Sequence, residues 1–160
     1  MANHAIFRAD NLAGTTQGKY LASIRMTTDL DNGNVVALGA YEEGAREVRT
    51  YTAPAKDAKI GTIAILGSEE VDKTVKYDVV GNFTNKQNTV ARGYILEAGD
   101  IFSVTAEAID GTPTVGGVAE LQAGKTKMKA VATSTEGTTK VGDCIAIEQE
   151  GNITWYVFRV

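Results

Sequence analysis

A chain of 160 residues with 43% hydrophobic and 22% charged residues has ordinary globular chemistry, long enough for one domain or two small ones and neither disordered nor membrane-spanning. The 16 Lys and Arg against 20 Asp and Glu leave a net charge of −4, which disfavours a broad phosphate-binding surface and so nucleic acid as a direct partner. One cysteine, Cys144, and one histidine, His4, exclude an internal disulfide framework, a multi-thiolate metal site and a histidine-rich metal cluster. Apolar runs such as Ile63-Ala64-Ile65-Leu66 are far shorter than the roughly 18 residues of a membrane span, and the first residues lack the pattern of a secretory signal, so synthesis in the cytoplasm is expected.

In chain order, Tyr20–Thr27, Val35–Leu38, Val48–Thr52 and Ile60–Leu66 are short, partly alternating and rich in Val, Ile, Thr and Tyr, the pattern of strands. Asp31-Asn32-Gly33-Asn34 and Glu42-Glu43-Gly44-Ala45 supply residues that tolerate tight turns, predicting hairpins. Ser68–Lys76 predicts one short helix, with Ser68 as cap and Val71 and Val75 on one face. The polar stretch Asn82–Thr89 marks a seam, giving an N-terminal arm at 1–11, a first β subdomain at 12–85 and a second at 86–160, or a single domain.

After the seam, Ala91–Leu96 and Asp100–Ile109 continue the strand pattern, the latter with Phe102, Val104, Ala106 and Ala108 on the core side. Cys144–Gln149 and Ile153–Val160 flank Glu150-Gly151-Asn152, a three-residue link of a bulged hairpin, and the final strand ties Val160 into a sheet. The expected class is therefore mainly β: an antiparallel β-sandwich or β-barrel-like body, β-tulip-like among the forms it could take, with at most one or two short helices.

Motifs that could carry chemistry each have a plainer reading. Ala119–Thr126 ends in the Gly-Lys-Thr of a phosphate loop, but Ala119 stands at its first glycine position, and Lys127–Thr133 alternates like a strand where a helix should open; a turn is expected. Gly14–Lys19 has the wrong glycine spacing and reads as a flexible loop. Asp29–Gly33 begins like a calcium loop with its glycine one position early, and a hairpin turn fits better. His4 with Asp10 and a hydroxyl would form a hydrolytic triad only if a terminus were held rigid, and is expected to be solvated. Cys144 beside Asp143 reads as a packed thiol, and Glu42-Glu43 and Glu69-Glu70 as solvated pairs. The sequons at Asn82 and Asn152 lack a secretory context. Trp155 lies opposite Tyr156 and Phe158 by alternation, and burial is expected for all three. No catalytic, cofactor or metal site is expected.

The stretch Val90–Thr105, containing Arg92-Gly93-Tyr94 and the Gly99-Asp100 turn, together with Phe7-Arg8-Ala9-Asp10-Asn11, resembles the capsid decoration (cement) proteins of tailed bacteriophages. The resemblance covers the opening segment and much of the second half. It implies a non-enzymatic virion protein on the capsid surface, commonly a homotrimer, with the major capsid protein as partner, no cofactor, no direct nucleic acid contact and no membrane. On this reading Ile6, Phe7, Arg8 and Asp10 dock on the shell, apolar anchors beside charged contacts; the alternative is that the same segment is a first strand paired within the fold. Other expectations left open are a carbohydrate-binding or host-adhesion module, a tail or head-joining subunit, and a small enzyme.

Overall fold

The computed structural model describes residues 3–71 and 80–160. It contains β1 (Phe7–Asn11), a one-turn helix α1 (Ala13–Thr16), a 3-10 turn (Gly18–Tyr20), β2 (Leu21–Arg25), β3 (Val35–Tyr41), β4 (Val48–Thr52), β5 (Ile63–Leu66) and β6 (Val90–Ile95). There follow β7 (Ile101–Val104), a second 3-10 turn (Ala106–Ala108), β8 (Ile109–Asp110), β9 (Val118–Gln122), β10 (Lys125–Val131), β11 (Lys140–Glu150) and β12 (Ile153–Arg159). The class is mainly β, as the alternating segments demand. Of the helix expected over Ser68–Lys76, residues 72–76 lie outside the described residues, and residues 68–71 carry no helical turn.

Strands β2, β4, β3, β5 and β6 close a barrel in that order. The other seven form one sheet in the order β1-β7-β12-β11-β9-β10-β8. Pairing is antiparallel except for two short parallel contacts, β2 with β4 and β8 with β10. The seam expected at Asn82–Thr89 precedes β6, whose five-pair register with β2 makes it a wall of the barrel, while β1 from the segment 1–11 pairs with β7 in the sheet.

The two units share a core because several barrel strands are buried on both faces. On β5, Ala64 and Leu66 fill the barrel interior with Ile24, Met26 and Val36, while Ile63 and Ile65 point the other way, into a cluster with Phe102, Val104, Met128 and Phe158 of the sheet. This explains the uninterrupted apolar run Ile63–Leu66, where a strand with one wet face would alternate. The barrel wall packed on the sheet is therefore dry on both sides. The wall carrying the exposed ends of β2 and β6 is not.

Turn chemistry departs from expectation at one place. Asp31–Asn34 does make a turn, with Gly33 at φ +80°, but β2 and β3 are not hydrogen-bonded neighbours, because β4 lies between them. The turn instead crosses the barrel end, where a Cβ on Gly33 would lie 2.8 Å from Cβ of Ala108 and 3.0 Å from Cγ1 of Val104. Buried amides hold it there: Asn85 Nδ2 donates to Asn32 Oδ1 at 3.1 Å and to Leu30 O at 3.0 Å, and Asn32 exchanges two bonds with the Ser68 backbone. The β3–β4 hairpin around Glu42–Ala45 forms as expected. The C-terminal hairpin is tighter than expected, since Glu150 itself pairs with Ile153 and leaves Gly151-Asn152 as the loop. Val160 is tied down, its N–H donating to Asp100 O at 2.9 Å.

The run Asp100–Ile109 is broken where one strand was expected. Phe102, Val104 and Ala108 are buried as read, but β7 ends at Val104, and Ala106 starts a 3-10 turn and is exposed.

Candidate functional site

The N-terminal segment is the paired strand of the two alternatives, not a free arm. Ile6 is 4% exposed and its N–H donates to Thr105 Oγ1, and the Phe7 ring lies 5.6 Å from the Tyr94 ring and 6.3 Å from the Phe102 ring. Both proposed apolar anchors thus serve the molecule's own core, since an apolar residue beside a sheet edge gains more by packing inward than by facing water.

Arg8 and Asp10 alternate onto the other face of β1 and are occupied there. Arg8 Nε donates to Asp10 Oδ1 and its NH2 group to Glu148 Oε2, both at 2.6 Å, and to Ser103 Oγ at 3.1 Å. Ser103 in turn donates to Asp10. The guanidinium lies 4.8 Å over the Trp155 ring, whose Nε1 donates to Glu150 Oε2 at 2.9 Å. Trp155 is buried, as expected, but beneath this charged cap rather than in the main core, which takes in Phe158 and against which Tyr156, only half-buried, packs. It offers no face to a sugar.

His4 does not meet Asp10. Its Nδ1 lies 2.8 Å from Asp31 Oδ1, and Asp31 Oδ2 also accepts the Ala5 N–H, so the histidine fastens the N-terminal segment to the turn crossing the barrel end. A shallow hollow of about 350 Å³ there is lined by His4, Asp31, Asn34, Thr84 and Thr126, but the Thr126 hydroxyl is committed to Asn34 Oδ1 at 2.7 Å. No nucleophile–base pair results. Among the described residues no group of three or more His, Cys, Asp or Glu side chains could hold a metal ion.

The remaining motifs take plain roles. Residues 118–122 and 125–131 are β9 and β10, so the Gly-Lys-Thr sequence spans a hairpin turn at Gly124 and the start of a strand. Gly14–Lys19, read as a flexible loop, carries most of α1 and the start of the first 3-10 turn, with Gly14 buried against Tyr94 and Leu21. Cys144 is buried, and that burial pushes its thiol pKa up.

One concavity lies on the free part of the barrel wall, where β2 and the start of β6 stay exposed, short of Tyr94, which packs on the sheet. An open groove of about 800 Å³ runs over the outward faces of β2 and β6, bounded by the Gly18-Lys19 turn and the β3–β4 hairpin. Alternation puts Ala22, Ile24 and Ala91 inside the barrel and leaves Leu21, Ser23, Val90 and Arg92 outside. Leu21, Tyr41 and Val90, at 38%, 62% and 46% exposure, are three of the molecule's exposed large apolar side chains, and all three line this groove. Around them stand Lys19, Arg46 and Arg92 against the single carboxylate Glu47. The ring of Tyr41 is backed by Arg49, whose guanidinium lies 5.3 Å from its centroid and donates twice to Gly39 O. Lys19 is held over Tyr20 at 4.9 Å.

The groove escaped sequence reasoning because its side chains come from four separate segments that only barrel closure brings together. The signal available was local: Leu21 and Val90 stand at outward positions of alternating strands, each beside a cation. No family model, curated protein or solved structure matches this chain.

Proposed function

We propose that this chain is a non-enzymatic structural protein of a tailed-bacteriophage particle. It docks on the outer surface of the capsid, with the major capsid protein as partner, and ties neighbouring capsomers together as an oligomer, a trimer by the resemblance of Val90–Thr105 and Phe7–Asn11 to decoration proteins. The observation that carries this reading is the open apolar and cationic groove on the free part of the wall of a barrel that shares one core with a sheet. A staple needs a stiff body that passes load between its contacts, and an open surface that a partner can lie on. Substrate chemistry would call for a cleft with converging polar groups.

Particles lacking this chain should release their DNA at a lower temperature than complete ones, and purified chain added back should restore the difference. Equal release temperatures with and without the chain would contradict the reading.

A carbohydrate-binding or host-adhesion role is the second reading, favoured by the exposed ring of Tyr41 backed by Arg49. Sugar-dependent protection of Tyr41 from chemical modification would move it to the front.

A further inference from the structure

We infer that the groove on the free wall of the barrel binds an extended, acidic segment of a partner protein, whose carboxylates meet Lys19, Arg46 and Arg92 and whose apolar side chains cover Leu21 and Val90. This rests on the docking reading above and names the chemistry of the docked partner.

Charge complementarity selects the sign of the occupant. The chain as a whole carries a net charge of −4, yet this lining has three cations against one carboxylate. Those cations are largely uncommitted. Among the described residues Arg46 makes no ion pair, and the sole ion-pair partner of Arg92 is Glu69, 3.6 Å away with its side chain 78% exposed, a contact worth little in water. Lys19 is steadied by the Tyr20 ring, which leaves its charge available to a ligand.

Strand geometry selects the shape. Leu21 and Ser23 on β2, and Val90 and Arg92 on β6, recur every second residue on the outward face. Alternate side chains on a strand are roughly 7 Å apart, which is also the repeat of an extended peptide laid alongside, whereas a helix repeats its contacts every three to four residues. Apolar and cationic positions are mixed at that spacing, so the matching segment carries acidic and apolar residues in turn at every second position, on the one face of an extended chain that meets the groove. Steering by the cations speeds encounter, and the three apolar side chains removed from water supply the contact that holds.

The test is a fluorescence-anisotropy titration of the full chain with a labelled octapeptide, Asp-Ser-Leu-Ser repeated twice, beside its Lys-Ser-Leu-Ser counterpart. The acidic peptide should bind, the basic one should not, and the double variant Arg46→Glu/Arg92→Glu should bind the acidic peptide at least roughly tenfold more weakly. Lys127→Glu, a cation on β10 away from the groove, should leave binding unchanged. Far-UV circular dichroism confirms that the exposed substitutions leave the fold intact. Absence of binding, equal binding of both peptides, or binding indifferent to the double variant overturns the inference. So does sedimentation showing self-association that Tyr41→Ser abolishes and the acidic peptide does not displace, since the occupant is then a second copy. If the double variant still attaches to particles, the groove is not the capsid contact and the capsid reading stands. If wild-type chain binds the peptide but never attaches to particles, the capsid reading falls and the groove keeps its acidic ligand.

Discussion

The Phe7 ring on the edge strand of the sheet lies 5.6 Å, centroid to centroid, from the Tyr94 ring on the barrel, so the first strand seals one unit onto the other. On its far side Phe7 reaches Phe102, which stacks on Phe158 at 5.8 Å, and the chain of rings runs from the barrel wall into the sheet. Phe7→Ala should therefore cost about 2–4 kcal/mol, seen as a lower urea midpoint at unchanged slope. Deleting residues 2 to 11 should abolish cooperative unfolding rather than leave a folded, arm-less body. A deletion variant with wild-type stability would contradict this.

Arg8 shields Trp155, the only tryptophan, through the cation–π contact and its bonds to Asp10 and Glu148. Arg8→Ala should shift tryptophan emission to the red and increase quenching by acrylamide, with about 1 kcal/mol of stability lost through packing as much as charge. Unchanged emission would mean that Trp155 is sheltered by something other than Arg8.

Much of the body was legible in the sequence, and the reasons differ element by element. Val48–Thr52 forms a strand as read because its β-branched and aromatic residues suit a half-buried pleat. The Glu150-Gly151-Asn152 link lies between two clear strands, and Gly151 at φ +57° explains why glycine stands there. Strand neighbours were not legible. Nothing local in Tyr20–Thr27 says that it pairs antiparallel with β6, some seventy residues on, and parallel with β4. For the same reason the groove was invisible, and the pattern of Ile6 and Phe7 fits a capsid anchor as well as a core strand until Tyr94 and Phe102 are placed beside them.

Asn32 and Asn85 form a buried amide pair that anchors the turn crossing the barrel end. Asn32→Leu removes the partner of the Ser68 N–H, the Ser68 carbonyl and the Asn85 amide together, and should cost about 2 kcal/mol despite the gain in hydrophobicity. Chemical denaturation checks this, and a neutral or stabilising result would show that water reaches the site.

Burial holds the Cys144 thiol pKa above its ordinary value. The folded state therefore keeps its proton at a pH where the unfolded chain has released it, so this contribution to stability is complete below the ordinary thiol range and is lost as pH rises through and beyond it. A disulfide reagent should label Cys144 only at the rate of unfolding, and Cys144→Ala should flatten the alkaline fall in stability. Rapid labelling of the native chain would contradict the burial argument.

Asp110 shifts in the opposite direction. The Gln122 side chain, donating to its Oδ2 at 2.9 Å, and then Lys125 hold its pKa below the usual carboxylate range. That contribution is present above the unfolded-state value and is lost as pH falls through the folded one. Gln122→Leu should raise the Asp110 midpoint in a carboxyl-carbon NMR titration, and an unmoved midpoint would assign the shift to Lys125.

The capsid role is tested most directly by separating phage lysate on a density gradient and counting this polypeptide by quantitative mass spectrometry in the DNA-filled particles. The account predicts many copies per particle, in fixed ratio to the major capsid protein across the peak. Recovery only in the slow soluble fraction would contradict it.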